Sequence, residues 1–381
     1  MTHFEEPDRR AMRRALELAA RGLESTHPNP RVGCVIVSSG QVVGEGWHER
    51  PGEPHAEVLA LRAAGAAAAG ATAYVTLEPC SHHGRTPPCV DALIAARIER
   101  VVFAVQDPNP RVNGRGAERL RAAGIAVDSG LMEREALELN AGFLKRMRTG
   151  LPWVRVKLAM SLDGRTALAS GVSKWLTGER AREDVQRWRA QSSAIVTGVG
   201  TVLADDPRLD ARVPSARPRP PMKVVLDAAL RTPPAARLLA TAGEVWIFTA
   251  SADDARRAAL EARGARIERV RTREAAASGA EAPGGARLDL RQVLARLGEA
   301  EVNEVLVESG ATLAGELVRT GLVDELLIYV APLLLGPQAR PLLELPPLAD
   351  LGGAVRFSLL EAERLGEDVR LTLRAPPARE P

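Results

Sequence analysis

One stretch, from Pro54 to Cys89, limits this chain more than any other. It begins Pro54-His55-Ala56-Glu57, passes through an alanine-rich run into Thr76-Leu77-Glu78-Pro79-Cys80, and closes on Pro87-Pro88-Cys89. An imidazole and two thiols can hold a Zn²⁺ and leave its fourth tetrahedral position to water. Glu57 stands two residues past the histidine. From there a carboxylate can take a proton from that water and pass it to a substrate nitrogen. The spacing sets a structural condition. Residues two apart on a helix point about 200° away from each other, so His55 and Glu57 meet at one point only where the chain enters a helix. Pro51-Gly52-Glu53-Pro54 is a breaker run, and Ala56 to Ala64 is strong helix-forming sequence. Ala73 to Leu77 reads as a short buried strand that runs into Pro79-Cys80, so Cys80 lies at a strand end. Free helix N–H groups near the metal would favour the thiolate form that binds.

His-x-Glu followed by Pro-Cys and a further Cys is the pattern of the zinc deaminases that act on pyrimidine and purine rings. Many of these have Pro-Cys-x-x-Cys; here eight residues, Ser81-His82-His83-Gly84-Arg85-Thr86-Pro87-Pro88, separate the cysteines. The insert is rich in donors and reads as a substrate-gripping loop, with His82 and Arg85 as candidate contacts. His82 or His83 as a zinc ligand is the alternative, against which the completed three-ligand set weighs. The twelve residues from Glu78 to Cys89 resemble the deaminase half of the bifunctional deaminase–reductases of riboflavin biosynthesis.

Length and composition are compatible with such a chain. Its 381 residues can build two cores, since single domains usually hold about 100–200. A net charge of +3 leans toward phosphorylated small molecules. An aromatic content of 3% argues against a surface that stacks single-stranded bases. Of the three cysteines two are assigned to metal, so a disulfide framework is not expected and a reducing cytoplasm fits. The N-terminal residues do not read as a signal peptide, and no apolar run is long enough to span a bilayer. A membrane or nucleic-acid partner is therefore not expected; a homo-oligomer stays possible.

In chain order, Asp8 to Arg21 reads as a helix stopped by Gly22. Val32 to Val37 and Gln41 to Trp47 read as a hairpin, with Cys34 as a buried small apolar residue. A helix around Val90 to Ala96, a strand over Arg100 to Val105, a helix over Glu118 to Ala123 and a strand over Ile125 to Val127 complete an α/β sandwich with mixed strands. Glu133 to Arg148 reads as one helix, broken by Thr149-Gly150-Leu151-Pro152, which gives expected domains of residues 1–148 and 149–381. The pentapeptide Pro-Asn-Pro-Arg-Val occurs at Pro28 and again at Pro108 and reads as two rigid loops of one kind. Asn29 can offer its amide to a ring edge or make an ordinary Asx turn; Asn109 is left without a role.

The second half opens with a strand, Trp153 to Ala159, and holds further strands at Met222 to Asp227 and Glu244 to Thr249. Ser193 to Pro207 reads as a strand running into a Gly/Thr turn. It lacks the third glycine of Gly-x-Gly-x-x-Gly, where Leu203 stands, which disfavours an ordinary Rossmann domain. Glu304 to Glu316 reads as a strand, a small-residue turn and a helix start whose N–H groups can cradle a phosphate. Ala216 to Pro221 and Thr272 to Ala286 read as connectors, the residues beyond Ala375 as a frayed tail, and Ala349 to Arg374 as closing strands. Lys157-Leu158-Ala159, Ser161 to Arg165, Gly171 to Trp175, Thr197-Gly198, Leu203 to Leu209 and Val307 to Gly310 resemble the reductase half of the same family.

That resemblance implies a cytidine-deaminase-like α/β/α domain followed by a dihydrofolate-reductase-like α/β domain. It implies one Zn²⁺ on His55, Cys80 and Cys89, Glu57 as proton carrier, and a phosphorylated diaminopyrimidine as substrate. It implies reduction of the ribosyl group by NADPH. By the same resemblance the cofactor contacts Ala159, Trp175, Thr201, Asp205, Gly310, Ala311, Thr312, Leu313, Ala314, Gly315 and Glu316. Substrate meets Ser173, Arg189, Leu209, Arg212 and Glu308, with Asn29 in the deaminase pocket. Two arginines suit a phosphate monoester, although either could be a surface salt bridge. Trp175 could equally be core packing, and Asp206 could serve in place of Asp205. The competing expectations are a nucleic-acid or nucleoside deaminase with an accessory domain, and a chain in which one half is a non-catalytic module.

Overall fold

The computed structural model describes residues 4–82, 87–110, 112–213, 220–273 and 287–376. The chain divides into two compact units, one reaching Leu151 and the other starting at Pro152.

The first unit runs α1 (Glu6–Ala20), β1 (Gly33–Ser38), β2 (Gln41–Trp47), α2 (Ala56–Ala64), β3 (Thr72–Leu77), α3 (Cys89–Ala95), β4 (Arg100–Val105), α4 (Arg115–Ala122), β5 (Ala126–Ser129), α5 (Glu133–Leu139) and α6 (Ala141–Thr149). Its five strands lie in the order β2-β1-β3-β4-β5. The β2-β1-β3 part is antiparallel and the β3-β4-β5 part parallel. Strand side chains alternate between faces, and two cores follow. Cys34, Ile36, Ala73, Val75, Val101 and Phe103 face α2, α3 and α4. Val35, Tyr74 and Val102 face α1, α5 and α6. The result is the three-layer sandwich expected, with Cys34 fully buried.

Two expectations fail here. The single helix over Glu133 to Arg148 is two helices, parted at Asn140 (φ −114°, ψ 19°). The Asn140 amide is buried and exchanges two bonds of 2.8 Å with the backbone N–H and carbonyl of Arg31. That contact spans 109 residues of sequence, so no local pattern announces it. The two Pro-Asn-Pro loops also differ. The His27–Pro28 peptide is cis and Asn29 N–H bonds to Thr26 O. In the second loop Asn109 N–H caps the Asp107 carboxylate instead.

The second unit runs β6 (Trp153–Ser161), β7 (Arg165–Ala167), α7 (Glu179–Gln191), β8 (Ala194–Gly198), α8 (Val199–Asp205), β9 (Met222–Leu226), β10 (Val245–Thr249), α9 (Asp254–Glu261), β11 (Ala265–Arg269), β12 (Thr272–Arg273), β13 (Arg287–Leu288), α10 (Leu290–Glu299), β14 (Glu304–Glu308), α11 (Ala311–Arg319), β15 (Glu325–Ala331), β16 (Arg340–Pro341), β17 (Ser358–Leu365) and β18 (Asp368–Arg374). Nine strands form one sheet in the order β11-β10-β9-β8-β14-β6-β15-β18-β17. From β11 to β15 every pairing is parallel. Such strands are covered on both faces and read as apolar runs. β17 and β18, the closing strands, are antiparallel. Residues 216–219 and 274–286 of the expected connectors, and 377–381 of the tail, lie outside the described residues. β8 and β14 are neighbours, and α8 and α11 leave from their carboxyl ends. In open α/β sheets that edge is where ligands bind.

Candidate active sites

His55 is the N-cap of α2, extended at φ −74° and ψ 164°, and Glu57 follows inside the first turn. Cys89 is the first residue of α3, with Pro88 as its cap. Cys80 lies three residues beyond the end of β3. His55 Nδ1 is 3.2 Å from Cys89 Sγ and 3.6 Å from Cys80 Sγ. The Cys89 backbone N–H donates to Cys80 Sγ at 3.3 Å, so the expected helix N–H does face a thiol. The three ligand atoms lie within 4.8 Å of one another. A tetrahedral zinc with bonds of about 2.0–2.3 Å needs its ligands about 3.5–3.8 Å apart. The donor set fits the ion in chemistry and in size. Hydrogen bonding from Cys89, then from His55, pulls the Cys80 thiol well below its ordinary value. Glu57 is buried beside this set. Burial, and then the neighbouring Cys80, raises its carboxyl.

The backbone around the triad is held by residues that sequence reading left without a role. Gly44 and Gly46 on β2 face α2 so closely that a Cβ would stand 2.2 Å from Ala60 O or 2.5 Å from Ala56 O. The helix that carries His55 and Glu57 therefore rests on bare strand backbone. Glu78, two residues before Cys80, is buried and accepts from four backbone N–H groups: Asp107 (3.3 Å), Gly114 (2.9 Å), Gly116 (3.0 Å) and Ala117 (3.1 Å). It thereby ties α4 to the Pro79-Cys80 turn. Arg119 on α4 donates to Ser81 O at 2.8 Å and pairs with Asp91, bracing the start of the insert. His82 Nδ1 is buried with no partner among the described residues. Arg85 lies outside the described residues.

Asn29 faces His48, a residue that sequence reading missed because nothing in its spacing marks it. His48 Nδ1 is 3.3 Å from Pro54 O. A carbonyl only accepts, so Nδ1 carries the proton and Nε2 accepts from Asn29 Nδ2 at 3.0 Å. Asn29 keeps its carbonyl oxygen without a partner among the described residues, free to receive a donor from a ring edge. Burial, then the neighbouring His55, lowers His48 to about 4 and keeps it neutral.

In the second unit Glu308, at the end of β14, meets Arg189 of α7 in a two-pronged bond: Nε to Oε1 at 2.5 Å and Nη2 to Oε2 at 2.8 Å. Both side chains are largely shielded, so this is not a surface salt bridge. Lys157 on β6 is in register with Glu308 on the neighbouring strand. Its ammonium lies 5.8 Å from the Tyr329 ring centre. Burial lowers the Lys157 ammonium against the pull of Glu308. A lone lysine in an apolar strand carries no sequence signal of its role.

The proposed cofactor residues divide. Thr201 lies in the first turn of α8, and Gly310 to Leu313 open α11. A Cβ on Gly198 would stand 3.7 Å from Leu313, so both helix starts share one mouth. Ala159 lies on β6, in register with Tyr329. Asp205 pairs with Lys174 at 3.2 Å. The Asp206 carboxylate accepts from the N–H of Arg237, 31 residues further along the chain. Trp175 is 72% exposed with Arg182 above its ring at 4.7 Å; core packing is excluded. Ala314 is fully buried, and a Cβ on Gly315 would stand 2.2 Å from Glu344 O. The Glu316 carboxylate is held by Arg319 and Arg287. Ala314, Gly315 and Glu316 are thus each engaged by packing or by ion pairs within this unit. Leu209 is likewise buried. Ser173 and Arg212 are exposed.

Comparison with known proteins extends over up to 98% of the chain. Residues 5–105 match the family model for the cytidine and deoxycytidylate deaminase zinc-binding region. Residues 152–371 match that for the RibD C-terminal domain. The riboflavin biosynthesis protein RibD of Escherichia coli is 52% identical over 373 residues, covering 95% of this chain and 98% of that protein. Its counterpart in Haemophilus influenzae is 45% identical, covering 98% of each. Among solved structures, RibD of Acinetobacter baumannii superposes with a TM-score of 0.88 at 44% identity, covering 97% of this chain and 99% of that one. A diaminohydroxyphosphoribosylaminopyrimidine deaminase/5-amino-6-(5-phosphoribosylamino)uracil reductase from Thermotoga maritima superposes with a TM-score of 0.82 at 32% identity, covering 98% of this chain and all of that one.

Proposed function

The chain belongs to the RibD family of bifunctional enzymes of riboflavin biosynthesis, and on that premise we propose a role for each of its two sites. It is a deaminase and a reductase acting on small pyrimidines. We assign deamination to the unit ending at Leu151 and reduction to the unit starting at Pro152. The substrate assigned to the first is 2,5-diamino-6-(5-phosphoribosylamino)pyrimidin-4(3H)-one. The second then converts the ribosyl group of the deaminated product to ribityl.

The observation that carries the first assignment is the closed triad of His55, Cys80 and Cys89 with Glu57 buried beside it. These three residues hold Zn²⁺, which when bound acts as a Lewis acid that readies a water for attack on the amino-bearing ring carbon. Glu57 moves the protons. Its carboxylate takes one from the attacking water and gives it to the adjacent ring nitrogen, then takes the second from the hydroxyl now on the ring carbon and gives it to the amine, so that the C–N bond breaks and ammonia leaves. Its burial raises proton affinity toward what both transfers need. Asn29, aimed by His48, receives a donor from the substrate.

In the second unit the starts of α8 and α11 would hold NADPH, which when bound would supply hydride. Glu308, fixed by Arg189, orients the ribosyl hydroxyls. The Lys157 ammonium donates the proton that accompanies the hydride. We place both reactions in the cytoplasm, in keeping with three free cysteines and no described helix long and apolar enough to cross a membrane.

Purified protein is incubated with the phosphoribosyl diaminopyrimidine, with and without NADPH, and product mass is followed. An exchange of NH for O without NADPH, then a gain of two hydrogens with it, is the expected result. No exchange in protein with zinc bound would overturn the substrate assignment.

A further inference from the structure

Lys157 is one of four lysines in the chain, with Lys145, Lys174 and Lys223, and Tyr329 is one of two tyrosines. The fold brings the two together. On the paired strands β6 and β15, Lys157 is in register with Leu327 and Ala159 with Tyr329. Alternate residues of a strand share a face, so Tyr329 lies diagonally across from Lys157. That face packs against Ala181 and Val185 of α7. The Lys157 ammonium makes no hydrogen bond or ion pair among the described residues. Three groups act on it: the Tyr329 ring at 5.8 Å, the Glu308 carboxylate of β14 and the Arg189 guanidinium of α7. Glu308 attracts the ammonium and Arg189 repels it, and these two are paired with each other. An aromatic face within about 6 Å of a cation attracts it, more strongly where water is excluded.

The ring is held from behind. Tyr329 is 1% exposed, and its hydroxyl donates to Asp184 Oδ2 at 2.7 Å. Asp184, on α7, is buried as well. The same oxygen accepts from Arg370 Nη1 at 2.9 Å and from Trp188 Nε1 at 3.2 Å. Arg370, on β18, is tied in turn to Glu361 and Glu363 of β17, each at 2.6 Å. Thus α7, β15 and β18 converge on one phenol. Burying such a polar cluster costs desolvation, and neither the substrate nor the cofactor contacts assigned above use it. Donation to a carboxylate polarises the phenol and enriches its ring in electrons.

We propose that Tyr329, locked by Asp184 and Arg370, is the positioning residue for Lys157, its ring holding the ammonium in place and in its charged form at the reductase site. This inference rests on the reading that Lys157 donates the proton of the reduction.

A proton donor must be charged before the step, so reduction should fall as pH rises through the Lys157 titration. Losing an attraction to the charged form lowers that titration midpoint. The test uses the full chain with lysine carrying ¹³C at Cε, and Lys157→Arg identifies the Lys157 signal. The NMR titration is compared with the pH profile of reductase kcat for wild type, Tyr329→Leu, Tyr329→Phe and a chain with pentafluorophenylalanine in place of Tyr329. Leucine removes the ring and keeps the site dry. Phenylalanine keeps the ring and removes the hydroxyl. The fluorinated ring keeps the shape and reverses the charge pattern, so it decides the matter if the leucine variant does not fold. Near-ultraviolet circular dichroism reports folding. In the leucine and fluorinated variants the Lys157 midpoint and the alkaline limb of kcat are expected to fall together by about half a pH unit or more. Phenylalanine is expected to restore most of that shift. A midpoint that stays put or rises without the electron-rich ring would overturn the proposal, even if kcat falls equally at every pH. So would a phenylalanine variant shifted as far as the leucine one. If the midpoint shifts as expected but wild-type kcat does not follow the Lys157 titration, the ring's hold on the ammonium stands and the proton-donor reading falls.

Discussion

Glu57 separates binding from chemistry by one group. Glu57→Gln keeps the shape and removes the proton carrier. Deamination is expected to fall by at least about a hundredfold, while zinc content by metal analysis and the reductase rate stay unchanged. Loss of zinc in this variant would make Glu57 a structural support instead. Asp8 poses a different residue-scale question. Burial alone would raise its carboxyl, but bonds from Tyr74, Glu5 N–H and Arg100 outweigh this and hold it below its ordinary 3.8. A group with a lowered folded value contributes its stability above the unfolded value and loses it as pH falls through the folded one. The melting-temperature gap between wild type and Asp8→Asn should therefore be widest near neutral pH and close below about pH 4. A gap independent of pH would show that the hydrogen bonds act without the charge. The zinc ligands were legible in the sequence because metal chemistry dictates their identity and two short elements set their placement. His48 was not, and Glu78 and Lys157 entered only as members of resembling motifs without a role of their own, because the bonds and register that give them one reach across the chain.

At the scale of elements, α2 was legible to the residue, Ala56 to Ala64, since its helix formers and the breaker run before it are local. The contact that positions it was not. Gly44 and Gly46 look like ordinary strand glycines, yet they let α2 sit on β2. Gly46→Ala should cost about 1–3 kcal/mol of stability through overpacking, read from denaturant unfolding. It should impair deamination more than reduction, because the displaced helix carries His55 and Glu57. Equal loss of both activities would count against that reasoning. The break at Asn140 was hidden for the same reason as the glycine contact: Arg31 supplies the competing bonds from far along the chain.

At the scale of the whole molecule, the metal ligands all precede Leu151 and the residues assigned to reduction all follow Pro152. Chelation is expected to abolish deamination and leave the NADPH-dependent step intact with its own substrate supplied, as followed by product mass. Parallel loss of both would contradict independent sites. The first unit's elements could be read nearly in order. The reductase contacts came only through family resemblance, because Arg189 and Glu308 lie 119 residues apart and meet only in the fold. The strand order also shapes how the chain is made. β6 opens the second unit, but its neighbours are β14 and β15. Trp153 pairs with Glu304, 304 − 153 = 151 positions later. At about 5–20 residues per second on the ribosome, a mostly apolar strand waits roughly 8–30 s for its first partner. The first unit has by then emerged with every strand's neighbour at hand. Synthesis should therefore yield a zinc-competent first half well before the second closes, and that unpaired strand is where a chaperone has most to protect.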